Sequence, residues 1–135
     1  MYREVQNYQD LIVWQKSMDL AKTVYLLVKK LPKEELFALS NQMRRAVVSI
    51  PSNIAEGRAR NSTKEFLRFL AIAKGSKAEL ETQLFLGVRV GYFTEGDITT
   101  SISLLHEVGK MIFALSNSLE QKLRKRSKGK GTGNR

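Results

Sequence analysis

Ile98, Ile102, Leu105, Gly109, Ile112, Ser116, Leu119 and Leu123 step along the chain by four and three residues without a break. That spacing lays one line along the side of a single long helix, and a helix with such a line must be covered by others. Three more segments supply them. In residues 10–31, one line runs Leu11, Trp14, Met18, Ala21, Tyr25, Val28, and a second beside it runs Val13, Ser17, Leu20, Val24, Leu27, Leu31. The stripe is wider than a two-stranded coil needs, which suits a bundle whose subunits also pack on one another. Pro32 stops this helix, and Lys33-Glu34-Glu35 is a turn or the acidic start of the next.

Residues 36–58 carry the line Leu39, Met43, Ala46, Ile50, Gly57. Pro51 falls inside it and cannot donate to the carbonyl of Val47, which predicts a kink there. Asn53 continues the line, and its amide is placed to serve that freed carbonyl. Ser62-Thr63-Lys64-Glu65 reads as a capping box with Ser62 as N-cap. The helix it opens runs through Phe66, Phe69, Leu70, Ala73, Leu80 and Leu84, with a middle of small residues (Ala71, Ala73, Gly75, Ser76, Ala78). Gly91 to Gly96 forms the next loop, and Thr94 or Asp97 caps the fourth helix. Sustained period-two alternation and Asn-Gly turns are absent from the sequence. Four long helices with short loops predict an all-α, up-down-up-down bundle with a kinked second helix, over residues 1–121.

Catalytic chemistry finds few residues to work with. The chain has no cysteine and one histidine, His106. A di-metal carboxylate bundle needs Glu-x-x-His pairs, and Ser103 stands where the glutamate would be. Gly129-Lys130-Gly131 lacks the glycine and the hydroxyl residue of a phosphate loop, since Arg124 and Gly131 stand in those places. Asn61-Ser62-Thr63 matches a glycosylation sequon, but the cap explains it better. The expectation is a protein that is not an enzyme and uses no metal or cofactor. No apolar run approaches the ~18 residues of a bilayer span, and the first ten residues are polar, so a cytoplasmic location is expected.

Charge is the stronger signal. The net charge is +10, of which residues 122–135 carry +7 through Lys122, Arg124, Lys125, Arg126, Lys128, Lys130 and Arg135. Within the body, residues 40–78 hold eight bases against Glu56 and Glu65, while 79–121 hold six acids against Arg89 and Lys110. A basic tail beside a basic stretch attracts polyanions by counterion release. Arg58, Arg60, Lys64 and Arg68 around the second loop, with Lys122, Arg124, Lys125, Arg126, Lys128 and Lys130 of the tail, are the candidate contacts. Each alone also reads as part of a solvated face. Tyr2, Tyr8 and Tyr92 are the candidate stacking aromatics, while Trp14 and the phenylalanines read as core. Scarce aromatics favour backbone contact with RNA or DNA over base readout.

The stretch Gln42-Met43-Arg44-Arg45-Ala46 through Ser49-Ile50-Pro51-Ser52-Asn53-Ile54-Ala55-Glu56-Gly57 resembles the four-helix-bundle proteins encoded in intervening sequences of bacterial large-subunit ribosomal RNA genes. The resemblance extends to Asp10-Leu11, Val13-Trp14-Gln15-Lys16, Leu31-Pro32 and Glu35-Leu36-Phe37. Downstream it takes in Glu65-Phe66, Ala73-Lys74-Gly75-Ser76, Glu79-Leu80-Glu81-Thr82-Gln83 and Gly91-Tyr92. That family is similar to the accessory variability determinants of diversity-generating retroelements, which form pentameric barrels and bind nucleic acid and a reverse transcriptase. The resemblance implies a ring-shaped homo-oligomer, a pentamer, without catalytic activity. It leaves two roles open: a retroelement accessory holding RNA or cDNA beside a reverse transcriptase, or an intervening-sequence protein. An oligomeric protein scaffold is the alternative in which the tail serves solubility. Arg44, Arg45, Asn53, Glu56, Glu79 and Glu81 then read as a buried ion-pair and amide network joining the second and third helices, or as a ligand site.

Overall fold

A computed structural model describes the backbone of residues 7–133 and the side chains of residues 7–127. A short 3-10 turn, Tyr8–Asp10, leads into α1 (Ile12–Val28); a second, Lys33–Glu35, precedes α2 (Leu39–Ala59). Then come α3 (Thr63–Arg89) and α4 (Glu95–Gly133). Helices pack in chain order, α1 on α2, α2 on α3, α3 on α4, and α4 closes back on α1. Among the described residues there is no strand. In each helix residues of a line read from the sequence point inward: Leu20, Met43, Ile50, Leu70, Leu80, Leu84 and Leu105 are all fully buried, and in α2 Ile54, not the expected Asn53, continues the buried face. Burying one such side chain contributes about 1.5–3 kcal/mol, so these lines fix the bundle.

The helix ends carry specific devices. Residues 36–38 are a turn, so α2 starts three residues later than the apolar pattern suggests. Its N-cap, Ala38, has no capping side chain, and Glu35 substitutes: its Oε1 accepts from the Leu39 N–H at 3.2 Å. The Tyr92 hydroxyl donates to Glu35 Oε2 at 2.8 Å, which ties the third loop to the first. That bond pushes the phenol above its ordinary pKa. Gly91 takes a positive φ of 86°, and the N–H groups of Tyr92 and Phe93 both donate to the Gly87 carbonyl, ending α3. The Phe93 ring then lies where a side chain on Gly87 would be.

α4 opens on a reciprocal cap that uses both expected residues. Thr94 Oγ1 accepts from the Asp97 N–H at 3.1 Å, and Asp97 Oδ2 accepts from the Thr94 N–H at 2.9 Å. Lys30 donates to Asp97 Oδ1 at 2.9 Å, joining the end of α1 to the start of α4. The Thr94 backbone bond and then Lys30 hold the Asp97 carboxyl below the usual carboxylate range. At its other end α4 runs on through the basic segment, so residues 122–133 extend the fourth helix. By length and composition alone α4 could cross a membrane, yet Ile98, Leu105, Ile112 and Leu119 on it are buried in the bundle.

α2 continues without interruption through Pro51, which is itself buried. Asn53 does not serve the Val47 carbonyl. Its Nδ2 donates to the Ser49 carbonyl at 2.7 Å and to Ser49 Oγ at 2.9 Å. Side chains on a helix lean toward its N-terminus and meet the residue one turn back, which for Asn53 is Ser49. Three of the phenylalanines depart from the core reading. Phe66, Phe69 and Phe93 are buried, but Phe37 is 89% exposed, and Phe85 and Phe113 stand on the surface.

Candidate nucleic-acid interface

α2 and α3 approach closely at Gly57, where an added Cβ would lie 2.7 Å from Phe69 Cβ and 3.0 Å from Phe66 Cδ1. Ser62 opens α3 just beyond, with Oγ accepting from the Glu65 N–H at 3.1 Å. The other half of the expected capping box does not form, because the Glu65 carboxylate turns to Arg68. Arg68 Nε and Nη2 donate to Glu65 Oε2 and Oε1, both at 3.2 Å. From the end of α2, Arg60 Nη2 donates to Glu56 Oε2 at 3.1 Å. Both guanidinium groups lie against the Phe69 ring, Arg68 at 4.5 Å and Arg60 at 5.3 Å from its centroid. The tight helix crossing thus brings two arginines from different helices onto one aromatic side chain.

Electrostatics follow from this pairing. The Arg68 hydrogen bond holds the Glu65 carboxyl below its ordinary pKa, and the same bond raises that of Arg68. Arg58 is half-buried in the last turn of α2, and Lys64 is exposed on the first turn of α3.

The fourth helix brings the remaining cations to the same end. His106 Nε2 lies 3.2 Å from Glu81 Oε2, so α3 and α4 are level there. Two antiparallel helices with the same rise per residue place Arg124 near the level of Thr63. The groove between them, lined by Leu67, Leu70, Phe113, Asn117 and Glu120, agrees. Lys122, Arg124, Lys125 and Arg126 are exposed, with Arg124 paired to Glu120 at 3.5 Å. Lys128 and Lys130 lie outside the described side chains, as does Tyr2. Eight cationic side chains, Arg58, Arg60, Lys64, Arg68, Lys122, Arg124, Lys125 and Arg126, therefore gather around one end of the bundle. Among the described residues Glu56 pairs with Arg60, Glu65 with Arg68 and Glu120 with Arg124.

The expected polar network between α2 and α3 takes a different form. The link is Ser49 Oγ to Ser76 Oγ at 2.7 Å, with Asn53 behind Ser49. Of the six residues named from the sequence, only Asn53 belongs to it. Glu56 pairs within α2, and Glu81 bridges to Lys77 (3.9 Å) and to His106 on α4. Arg45 and Glu79 line a cleft of about 260 Å³ above the two serines, and Arg44 borders a neighbouring one beside Tyr25 and Val48. Sequence reasoning missed Ser49, Ser76 and Phe69. The small-residue middle of α3 was the signal for Ser76; Phe69 was read as core only, although Arg68 precedes it directly.

The model of the 23S rRNA-intervening sequence protein family matches residues 9–114. The chain belongs to that family. Among solved structures it is similar to a protein of unknown function from the S23 ribosomal protein family of Bacteroides thetaiotaomicron VPI-5482. The two share 28% identity with a TM-score of 0.72, over 78% of this chain and 98% of the other. No curated protein matches. The family match takes in the Arg60–Phe69–Arg68 cluster and stops before the basic end of α4.

Proposed function

We propose that this intervening-sequence family member is a non-enzymatic homo-oligomer that holds RNA through its phosphate backbone. The observation that carries the reading is the gathering of two sequence-distant basic groups, 58–68 and 122–126, at one end of the bundle. Guanidinium groups match phosphate oxygens with a two-pronged fork, and ammonium groups add point charge. Aromatic residues free to stack on bases are scarce there: Phe69 is buried, Tyr8 is half-buried with its ring edge-on to Trp14 at 5.3 Å, and Tyr92 sits at the opposite end on Glu35. Backbone contact without base readout is what such a surface offers. The family match favours an RNA associated with the ribosomal intervening sequence over the template of a retroelement reverse transcriptase.

Self-association is supported by α1. Val13, Ser17, Leu20, Val24 and Leu27 of its second line are buried, whereas Met18 and Tyr25 on the first remain 44% and 45% exposed, Tyr25 beside Val48 of α2. A ring of copies, five in the assembly proposed, would turn one basic end into a belt.

The test is a titration of labelled single-stranded RNA across salt concentrations, with the mass in solution measured alongside. Binding is expected to weaken with salt and to tolerate sequence changes. Replacing Arg58, Arg60, Lys64 and Arg68 together by glutamine should flatten the salt slope by up to about 0.7 for each phosphate that is no longer neutralised. The Lys122, Arg124, Lys125, Arg126 set should act likewise. Failure to retain RNA in dilute buffer, or binding indifferent to salt, overturns the reading; a monomeric mass overturns the assembly.

A further inference from the structure

We infer that Glu56 and Glu65 are built-in competitors for the phosphate site, so that RNA binds the arginine pair by exchanging with these two carboxylates. This rests on the proposed function. Arg68 spends one full edge of its fork, Nε with Nη2, on Glu65, and Arg60 spends Nη2 on Glu56. A phosphate presents the same paired-oxygen geometry as a carboxylate and would use the same donors. The guanidinium groups have a second support besides the carboxylates. Phe69 is buried and fixed, and both arginines rest against it. When a carboxylate swings away the arginine stays in place, ready for the incoming oxygen pair.

Both acids can leave without unfolding the site. The cap of α3 is made by Ser62 Oγ with the backbone N–H of Glu65, and the Glu65 side chain takes no part in it. The two ion pairs are half-exposed and lie within single helices, at i,i+4 and i,i+3. Such pairs are weak enough to be exchanged and strong enough to be felt. The device sets a threshold: short or sparsely charged anions fail to displace the acids, whereas a polyphosphate chain that engages the rest of the basic end does.

The test compares RNA affinity of the wild type with Glu65→Gln, Glu56→Gln and the double variant. Glu34→Gln serves as control, because it makes the same change in net charge at the opposite end of the bundle. Helix content is checked by circular dichroism. Each single variant should tighten binding roughly two- to fivefold beyond the control, the gain expected when an exposed pair no longer competes. Adding Arg68→Lys to Glu65→Gln should remove the gain, since an ammonium has no fork. Wild type that binds with a salt slope, and site variants that merely match Glu34→Gln, overturn the inference and leave the proposed function standing. If neither wild type nor the double variant retains RNA, both fall.

Discussion

The α2–α3 crossing can be tested with a pair of glycines that differ only in what surrounds them. Gly57 and Gly75 both lie within helices, so replacing either by alanine gains about 1 kcal/mol of helix propensity. At Gly75 a Cβ would meet nothing within 4 Å, and the gain should appear in full. At Gly57 the new Cβ would press 2.7 Å from Phe69 Cβ, an atom attached directly to the α3 backbone that cannot rotate away. Overpacking of that kind costs about 1–3 kcal/mol, and a rigid neighbour argues for the upper part of the range. The net is a loss of about 1–2 kcal/mol for Gly57→Ala against a gain of about 1 kcal/mol for Gly75→Ala. With an unfolding entropy of about 2.1 cal/mol/K per residue, each kcal/mol moves the melting midpoint of this chain by about 3–4 °C. Thermal melts by circular dichroism, at one protein concentration so that assembly does not confound them, should place the two variants on opposite sides of wild type. Denaturant melts with unchanged slope would confirm that the native state, and not the unfolded one, has changed. If Gly57→Ala melts as high as Gly75→Ala, the close approach is wrong, and with it the geometry that sets Arg60 and Arg68 on Phe69.

Two further outcomes are expected. Ser101 is fully buried and its Oγ finds no hydrogen-bond partner among the described residues, so Ser101→Ala should stabilise the bundle by about 1–3 kcal/mol in denaturant melts. Asp97 has its carboxyl held low, so its contribution is present above the unfolded pKa of about 3.9 and disappears as pH falls through the lower folded value. Asp97→Asn should therefore melt below wild type near neutral pH, with the gap closing in acid; a gap that persists undiminished at pH ~2 would remove the Lys30 and Thr94 contacts from the account.

The apolar lines made the four helices and most of the core legible, because heptad spacing states which face turns inward. Where a residue's type spoke without its phase, the reading went astray. Phe85 and Phe113 each follow a buried residue of their line, Leu84 and Ile112, and that one-step displacement carries them outward. Phe37 lies in the turn that delays α2, across which Glu35 reaches forward to accept from the Leu39 N–H. The charged residues behaved similarly. Spacing of four and three already pairs Glu56 with Arg60 and Glu65 with Arg68. Nothing local indicates that Glu81 turns to His106 on α4 or that two serines, not ions, bridge α2 and α3.

Geometry also explains why net charge alone overstates what one copy can do. Of the eight cations at the basic end, Arg60, Arg68 and Arg124 are each engaged by a carboxylate, so under the proposed function only part of that charge would meet phosphates at first encounter. A handful of phosphate contacts corresponds to non-specific binding of order 10⁻⁴–10⁻⁶ M at physiological salt. Linking identical ends in the proposed assembly would raise avidity by about 10²–10⁴ without any new kind of contact, provided one strand can reach several of them. Affinity should therefore climb with RNA length until the strand spans neighbouring copies, then level off. A monomeric variant made by Met18→Asp and Tyr25→Asp should lose that length dependence while its affinity for a short oligonucleotide stays the same. Equal length dependence in both would place the avidity elsewhere than in the assembly.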